Sequence, residues 1–384
     1  MRRVSNSSSG FTLLELMIAA VVGLIVVGGA LSLFNQAMKA TWITSQKSEL
    51  QQDFRAAANL LQRDISMAGA GALGQQGLAY SAVALPVTAT KPVYPCSTST
   101  CNYVNSASVA YPVVSGSPYI YSIIPGNDLG IIVPGSGEGA SDILTLSSAD
   151  VTLALNCYTV TANTGTVVTF QLLTTPSSTC VLPTNVVTPQ ALNDPVVGLQ
   201  VGNIVLFGNN TIAVVTSAVT TCAPTPAATY SACYSVTFAA SDPGHINQPS
   251  ATTGSLTQLA VTSTLSAVRL LTVTYYLDIS PWDGVTPRLM RIQSGQAPAP
   301  VAENVVYLKF TFDVNNNGAI SANQSTLPAG TTPAMITKVN IAHMTMRSQL
   351  PGTAGYQGLD LKTSISARNL TSQQEYPLTV ISTD

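Results

Sequence analysis

Few residues in this chain have the type and spacing to do chemistry. Glu15 is the single charge between Phe11 and Phe34. A carboxylate inside such an apolar run must find a cation or a proton, because an ionised group is costly in hydrocarbon. Just upstream stands the pair Gly10-Phe11, preceded by a short polar stretch whose only charges are Arg2 and Arg3. An ordinary secretory signal has its small-residue cleavage site after the apolar run. Here the small residue, Gly10, comes before it. A cut between Gly10 and Phe11 removes the basic leader, keeps the apolar segment and leaves Glu15 about one helical turn into the new chain.

Other candidate groups lie far downstream. The six cysteines, Cys96, Cys101, Cys157, Cys180, Cys222 and Cys233, all follow the apolar segment. An even count on the exported side of a membrane favours three disulfides among fifteen connectivities, and sequential pairing closes the shortest loops. A zinc site is disfavoured, since no C-x-x-C pair exists and His245 and His343 are remote from the cysteines. Asp313, Asn315 and Asn317 place side-chain oxygens at positions one, three and five of a calcium-loop pattern, with Gly318 at six. Ala319 offers a carbonyl at seven, but Gln324 stands where the bidentate acid belongs, and a plain Asn/Gly turn reads the same stretch. No other cofactor is expected. Enzymatic signatures are missing: neither histidine has a G-x-S-x-G nucleophile nearby, and no G-x-G-x-x-G or Walker loop occurs. Asp278 and Asp283 flank Trp282, which reads as a hairpin turn before a sugar site. Arg288 and Arg291 lie near Trp282, yet the chain is otherwise too poor in Lys and Arg for a nucleic-acid surface.

These groups need elements to hold them. Residues 11–34 can cross a bilayer as a helix, with the basic leader on the cytoplasmic side. Residues 35–68 contain no Pro or Gly, and Leu50, Phe54, Ala57, Leu61, Ile65 and Ala68 recur at three- and four-residue steps. That period predicts an amphipathic continuation ending at Gly69-Ala70-Gly71, with one stripe that needs a sheet to cover it. Gly23, Gly28 and Gly29 read either as a bend or as close helix packing. Residues 69–384 form a β-rich head. Within it, 78–140 reads as a long irregular connection, and about 80–265 as a Cys-rich elaboration. Strands are expected at Ile143–Leu146, Val167–Leu173, Ile204–Phe207, Ile212–Ser217, Tyr234–Ala239, Leu270–Ile279, Leu289–Ile292, Val305–Val314, Val339–Arg347 and Leu361–Arg368. The fold class is α+β: one long N-terminal helix packed on a large antiparallel head. Charged residues are only 8% of the chain, against about a quarter in ordinary soluble proteins. Loss of Arg2 and Arg3 takes the formal net charge from −2 to −4. This composition suits a β-rich exported protein that packs against its neighbours, and equally an adhesive surface.

The Gly10-Phe11-Thr12-Leu13-Leu14-Glu15 stretch resembles the class III signal of type IV pilins and pseudopilins. The resemblance implies that prepilin peptidase cuts after Gly10 and methylates Phe11. It also implies that Glu15 pairs with the Phe11 amine of a neighbouring subunit, giving like helices a defined stagger in a filament. Leu61-Gln62-Arg63-Asp64-Ile65-Ser66-Met67-Ala68-Gly69, Ser141–Leu146, Val305–Phe310 and Ala367-Arg368-Asn369-Leu370 are similar to segments of PilW-type minor pilins and the related J-type pseudopilins of type II secretion. Ser32 stands where many major pilins carry a helix proline. The implied place is the bacterial inner membrane with the head in the periplasm, then a filament, at its tip. The implied partners are other pilins, prepilin peptidase and the membrane, with no nucleic acid. The implied role is to prime or cap a type IV pilus, with a tip adhesin or a type II secretion pseudopilin as alternatives. Calcium in the C-terminal loops of some pilin-like proteins bears on Asp313–Gly318.

Overall fold

The computed structural model describes residues 12–70, 82–86, 113–114, 117–150, 152–175, 180, 182, 187–208, 211–242, 244–252, 254–259, 261, 267–279, 286–294, 296–347 and 358–367. One helix, α1 (Leu13–Met67), runs unbroken through Gly23, Gly28 and Gly29. At ~1.5 Å per residue it is about 80 Å long. Its end is abrupt: Ala68 leaves the helical region and Gly69 adopts φ 71°, where a side chain would be strained. The chain is then tied to the sheet, with Gly69 N donating to Ser147 O (2.8 Å) and Ala149 N donating to Ala70 O (2.7 Å).

Strands follow in chain order. β1 (Ala82–Ala84), β2 (Val113–Val114) and β3 (Ser117–Tyr121) make a small sheet in the order β1-β3-β2. β4 (Ile123–Gly126) and β5 (Ile143–Asp150) lead into the largest sheet. β6 (Tyr158–Asn163), β7 (Val167–Leu173), β8 (Ile204–Phe207), β9 (Thr211–Val214), β10 (Thr220–Thr221) and β11 (Tyr230–Thr237) come next. β12 (Ala267–Asp278), β13 (Arg288–Gln293), β14 (Ala299–Glu303), β15 (Val305–Asn316), β16 (Ala319–Gln324), β17 (Ile336–Arg347) and β18 (Gly358–Ser366) complete them. The seven-stranded sheet runs β14-β13-β12-β5-β4, with β8 also on β12 and β9 on β8. β16-β15-β17-β18 form a second sheet, and β10-β11-β7-β6 a third. Every pairing among the described strands is antiparallel.

The main core joins the α1 stripe (Leu50, Phe54, Ala57, Leu61, Ile65, Ala68) to the inner faces of the first two sheets, including Leu146, Tyr275, Phe310 and Ile341. A second core lies between the third sheet and the β8–β9 part of the largest one, around Tyr158, Phe170, Phe207, Tyr234 and Phe238. The architecture is the expected α+β one. Its detail corrects the reading of 78–140 as irregular: β1 to β4 fall there, and β4 is an integral strand of the largest sheet. β6, β14 and β16 were also not anticipated. β14 carries Pro300, which hides a strand signal and is tolerated because β14 is an edge.

Candidate functional site: the uncovered half of the helix

From Leu13 to Trp42 every residue of the helix is exposed among the described residues, and Ile43 and Gln46 are the first to be half-buried. Leu13, Leu14, Leu16, Ile18, Leu24, Ile25, Leu33 and Phe34 are each exposed over more than half of their surface. This helix is long and apolar enough to cross a membrane, and none of its most apolar window is buried. Leu13–Phe34 is about 33 Å long at ~1.5 Å per residue, the thickness of a bilayer's hydrocarbon core.

Glu15 sits at the start of this rod. Thr12 caps the helix, and the pair forms a reciprocal capping box. Glu15 Oε2 accepts from Thr12 N (3.0 Å) and from Thr12 Oγ1 (2.9 Å), while Glu15 N donates to Thr12 Oγ1 (3.3 Å). The first turn of a helix has unpaired N–H groups and a partial positive charge, so a carboxylate is favoured there. Glu15 is thus held at the helix tip, four residues along the sequence from Phe11. Gly10 and Phe11 themselves lie outside the described residues. The T-x-x-E spacing was a capping signal that the sequence reading passed over.

At the other end, the helix is locked to the head by a buried polar group. Asp64 Oδ2 accepts from Tyr275 OH (2.7 Å) and Arg291 Nε (2.8 Å). Arg63, mostly in solvent, reaches Asp64 Oδ1 at 3.3 Å. Burial, reinforced by the Asp64 carboxylate, pushes the Tyr275 phenol far up and keeps it a donor. Burial pulls Arg291 down, but the Asp64 hydrogen bond and charge outweigh it, so the guanidinium stays charged. Sequence reasoning missed this triad. Its signal was a carboxylate beside Leu61 and Ile65 on the core-facing side of the helix.

The remaining candidates are structural in their geometry. Cys157–Cys180 and Cys222–Cys233 are disulfide-bonded; the first lies in the second core, and the second ties the end of β10 to β11. Cys96 and Cys101 lie outside the described residues, as do Trp282 and Asp283. Asp313-Val314-Asn315-Asn316-Asn317-Gly318 is the end of β15 and a tight hairpin turn into β16, with positive φ at Asn317 (51°) and Gly318 (93°). Asp313 Oδ1 accepts from Asn323 N (2.9 Å) and Asn340 Nδ2 (3.0 Å), and Asn315 Oδ1 accepts from Gly318 N (2.8 Å). Two of the three oxygens of the calcium pattern are therefore engaged by protein donors. His343 is partly exposed on β17 with Nδ1 3.0 Å from Asp360 Oδ2. His245 lies in a loop with φ 52°. Asp278 is a buried residue of β12 opposite Arg288, within the strand and before the anticipated turn.

Compared with protein families, residues 5–31 match the model described as the prokaryotic N-terminal methylation motif. No curated protein and no solved structure matches the chain. The motif marks a type IV pilin-like or pseudopilin-like N-terminus, the kind processed by prepilin peptidase and assembled with other pilins. With the uncovered apolar helix, it fits anchoring in a membrane.

Proposed function

We propose that the chain is a PilW-type minor pilin. In this reading it is cut after Gly10, held in the inner membrane by residues 11–34, and then drawn into a type IV pilus whose assembly it primes or caps. The observation that carries the reading is the apolar half of α1. It starts at a capped Glu15, matches the methylation motif and is left uncovered by the described residues of its own chain. A helix apolar all round is buried in lipid or in other helices, and a filament offers the second after the membrane has offered the first. The head has neither an enzymatic signature in its sequence nor a cofactor assigned to it in this proposal.

The third sheet favours a second role. Its core is separate from the one that holds the helix, Cys157–Cys180 lies in that core, and Cys222–Cys233 ties β10 to β11 of the same sheet, as in a braced ligand-contacting module at a filament tip. A deletion strain separates the roles. Loss of all pili supports priming; normal pili with lost attachment support adhesion; intact pili with blocked protein export assign the chain to a type II secretion system.

A further inference from the structure

The inner face of the largest sheet runs on past the end of the helix. In β5, β12 and β13 alternate residues share a face, and the register sets Leu146 opposite Val273, Ser148 opposite Leu271, and Val273 opposite Gln293. Asp64 stands over Tyr275 on this face, and the helix ends within one turn, at Met67. Leu271, Ser148 and Gln293 are left half-buried. The result is a groove of about 260 Å3, walled by Arg63 and Met67 and floored by Leu146, Leu271 and Val273. Its polar groups do not balance. Arg63, Arg291 and Asp64 line it, which leaves one positive charge in excess. A carboxylate has about four lone-pair sites. Those of Asp64 already receive Tyr275 OH, Arg291 Nε and, at 3.3 Å each, Arg63 Nε and Nη2. Arg63 Nη1, Arg291 Nη1, Ser148 Oγ and Gln293 Nε2 have no hydrogen-bond partner among the described residues. Charge-assisted pairs sit closer, at about 2.7–2.9 Å. Arg63, with 62% of its side chain exposed, is therefore loosely held and able to turn to another acceptor.

We propose that this groove binds the C-terminal residue of a partner polypeptide, with its free carboxylate on Arg63 and its aliphatic side chain on the floor of Leu146, Leu271 and Val273. One negative charge balances the excess, whereas a phosphate group carries about two. A guanidinium grips a carboxylate with two parallel hydrogen bonds. An internal Asp or Glu has its carboxylate at the tip of the side chain, with no apolar group beside it. A chain ending in Leu, Ile or Val carries both on one carbon, which matches the adjacency of Arg63 and the floor. A free aliphatic amino acid carries an ammonium too, and Asp64, the one acid lining the groove, has no lone pair left for it. The groove is smaller than the roughly 300–1,000 Å3 of a drug-sized site, and Arg63 stands at its solvent side. One residue is thus held inside while the rest of the partner stays out.

The test uses the full-length chain in detergent and a rhodamine-labelled peptide, Gly-Ser-Gly-Ser-Gly-Leu, with a free C-terminal carboxylate. Fluorescence anisotropy is expected to saturate at sub-millimolar protein. The same peptide with a C-terminal amide, or with Ser in place of the last Leu, is expected to bind at least tenfold more weakly. Arg63→Gln is expected to show the same loss, with its unfolding midpoint reporting that the head is intact. Gln293→Glu, which is isosteric and cancels the charge excess, is expected to weaken binding at least fivefold. Arg55→Gln, two turns earlier on the same helix and exposed, is expected to bind as the wild type does. No saturation, equal binding of acid and amide, or unchanged binding by Arg63→Gln and Gln293→Glu overturns the proposal. Competition identifies the source of the carboxylate. Isovalerate displacing the peptide at equal concentration makes the occupant a free small acid, and inorganic phosphate doing so makes the groove a general anion site; either result overturns binding of a chain end.

Discussion

Before Leu50, α1 leaves 80% of Leu13, 73% of Leu24 and 61% of Phe34 exposed, whereas after it Ala57, Leu61 and Ile65 are fully buried. Both halves are continuous helix on one axis, and both are rich in apolar residues. The difference is in the pattern. The second half has one apolar stripe and a polar back, which a pair of sheets can satisfy. From Leu13 to Phe34 the first half is apolar around its whole circumference, and no arrangement of its own head can cover all sides of a rod. Apolar content says that a surface must be covered; its distribution around the helix says whether the cover comes from the same chain.

The comparison breaks most completely at Glu15. Glu15→Ala is expected to leave the protein in the inner membrane but to reduce its recovery in sheared filaments at least tenfold, measured by immunoblot of both fractions. Equal recovery would remove pairing with a neighbour's amine as the reason for the charge. Intact-mass analysis of the wild type is expected to show loss of the ten residues before Phe11 with one added methyl.

The buried half is expected to respond in stability instead. Asp64→Ala leaves Arg291 and Tyr275 without their acceptor in a buried setting and is expected to cost about 3–5 kcal/mol. Leu61→Ala is expected to cost about 2–5 kcal/mol through the cavity it opens. Denaturant unfolding of the full chain in detergent reads both, and membrane insertion should not change. A smaller effect is expected away from the helix. Replacing Cys157 and Cys180 together by Ala releases a closed loop of 23 residues, worth about 3 kcal/mol in the chain-entropy treatment. The loss should be confined to the third sheet, as followed by hydrogen exchange. Smallest is the β15–β16 turn. Asp313→Ala removes two accepted hydrogen bonds and should cost about 1–2 kcal/mol, and millimolar calcium is expected to leave Tm unchanged. A calcium-dependent rise in Tm that Asp313→Ala abolishes would instead make the turn a cation site.

Much of this was legible in the sequence because the signals are local and repeated. The helix, its single buried stripe, its Gly69 terminus and most long strands follow from period and punctuation. Val167–Leu173 and Ile204–Phe207 match the expected limits to the residue. What escaped reading depends on partners distant in sequence. β4 contains Pro125 and is a strand because β5 pairs with it. β16 has no clear alternation and is a strand because the Asn317-Gly318 turn folds it back on β15. Asp64 looks like one more polar residue of a helix until β12 and β13 bring Tyr275 and Arg291 to it. At the site, Glu15 was legible because a lone charge in an apolar run is conspicuous, whereas its Thr12 cap lay in a spacing rule that was not applied.

The way the helix leaves its last turn has a mechanical meaning. Gly69 and Ala70 are hydrogen-bonded to Ser147 and Ala149 of β5, and β5 is an interior strand with β4 on one side and β12 on the other. A pull along α1 therefore enters the head through the middle of its largest sheet. That load is shared between the β4 and β12 ladders, where an edge strand would have one. A rod joined in this way delivers tension to an interior strand and not to an exposed edge of the body it carries.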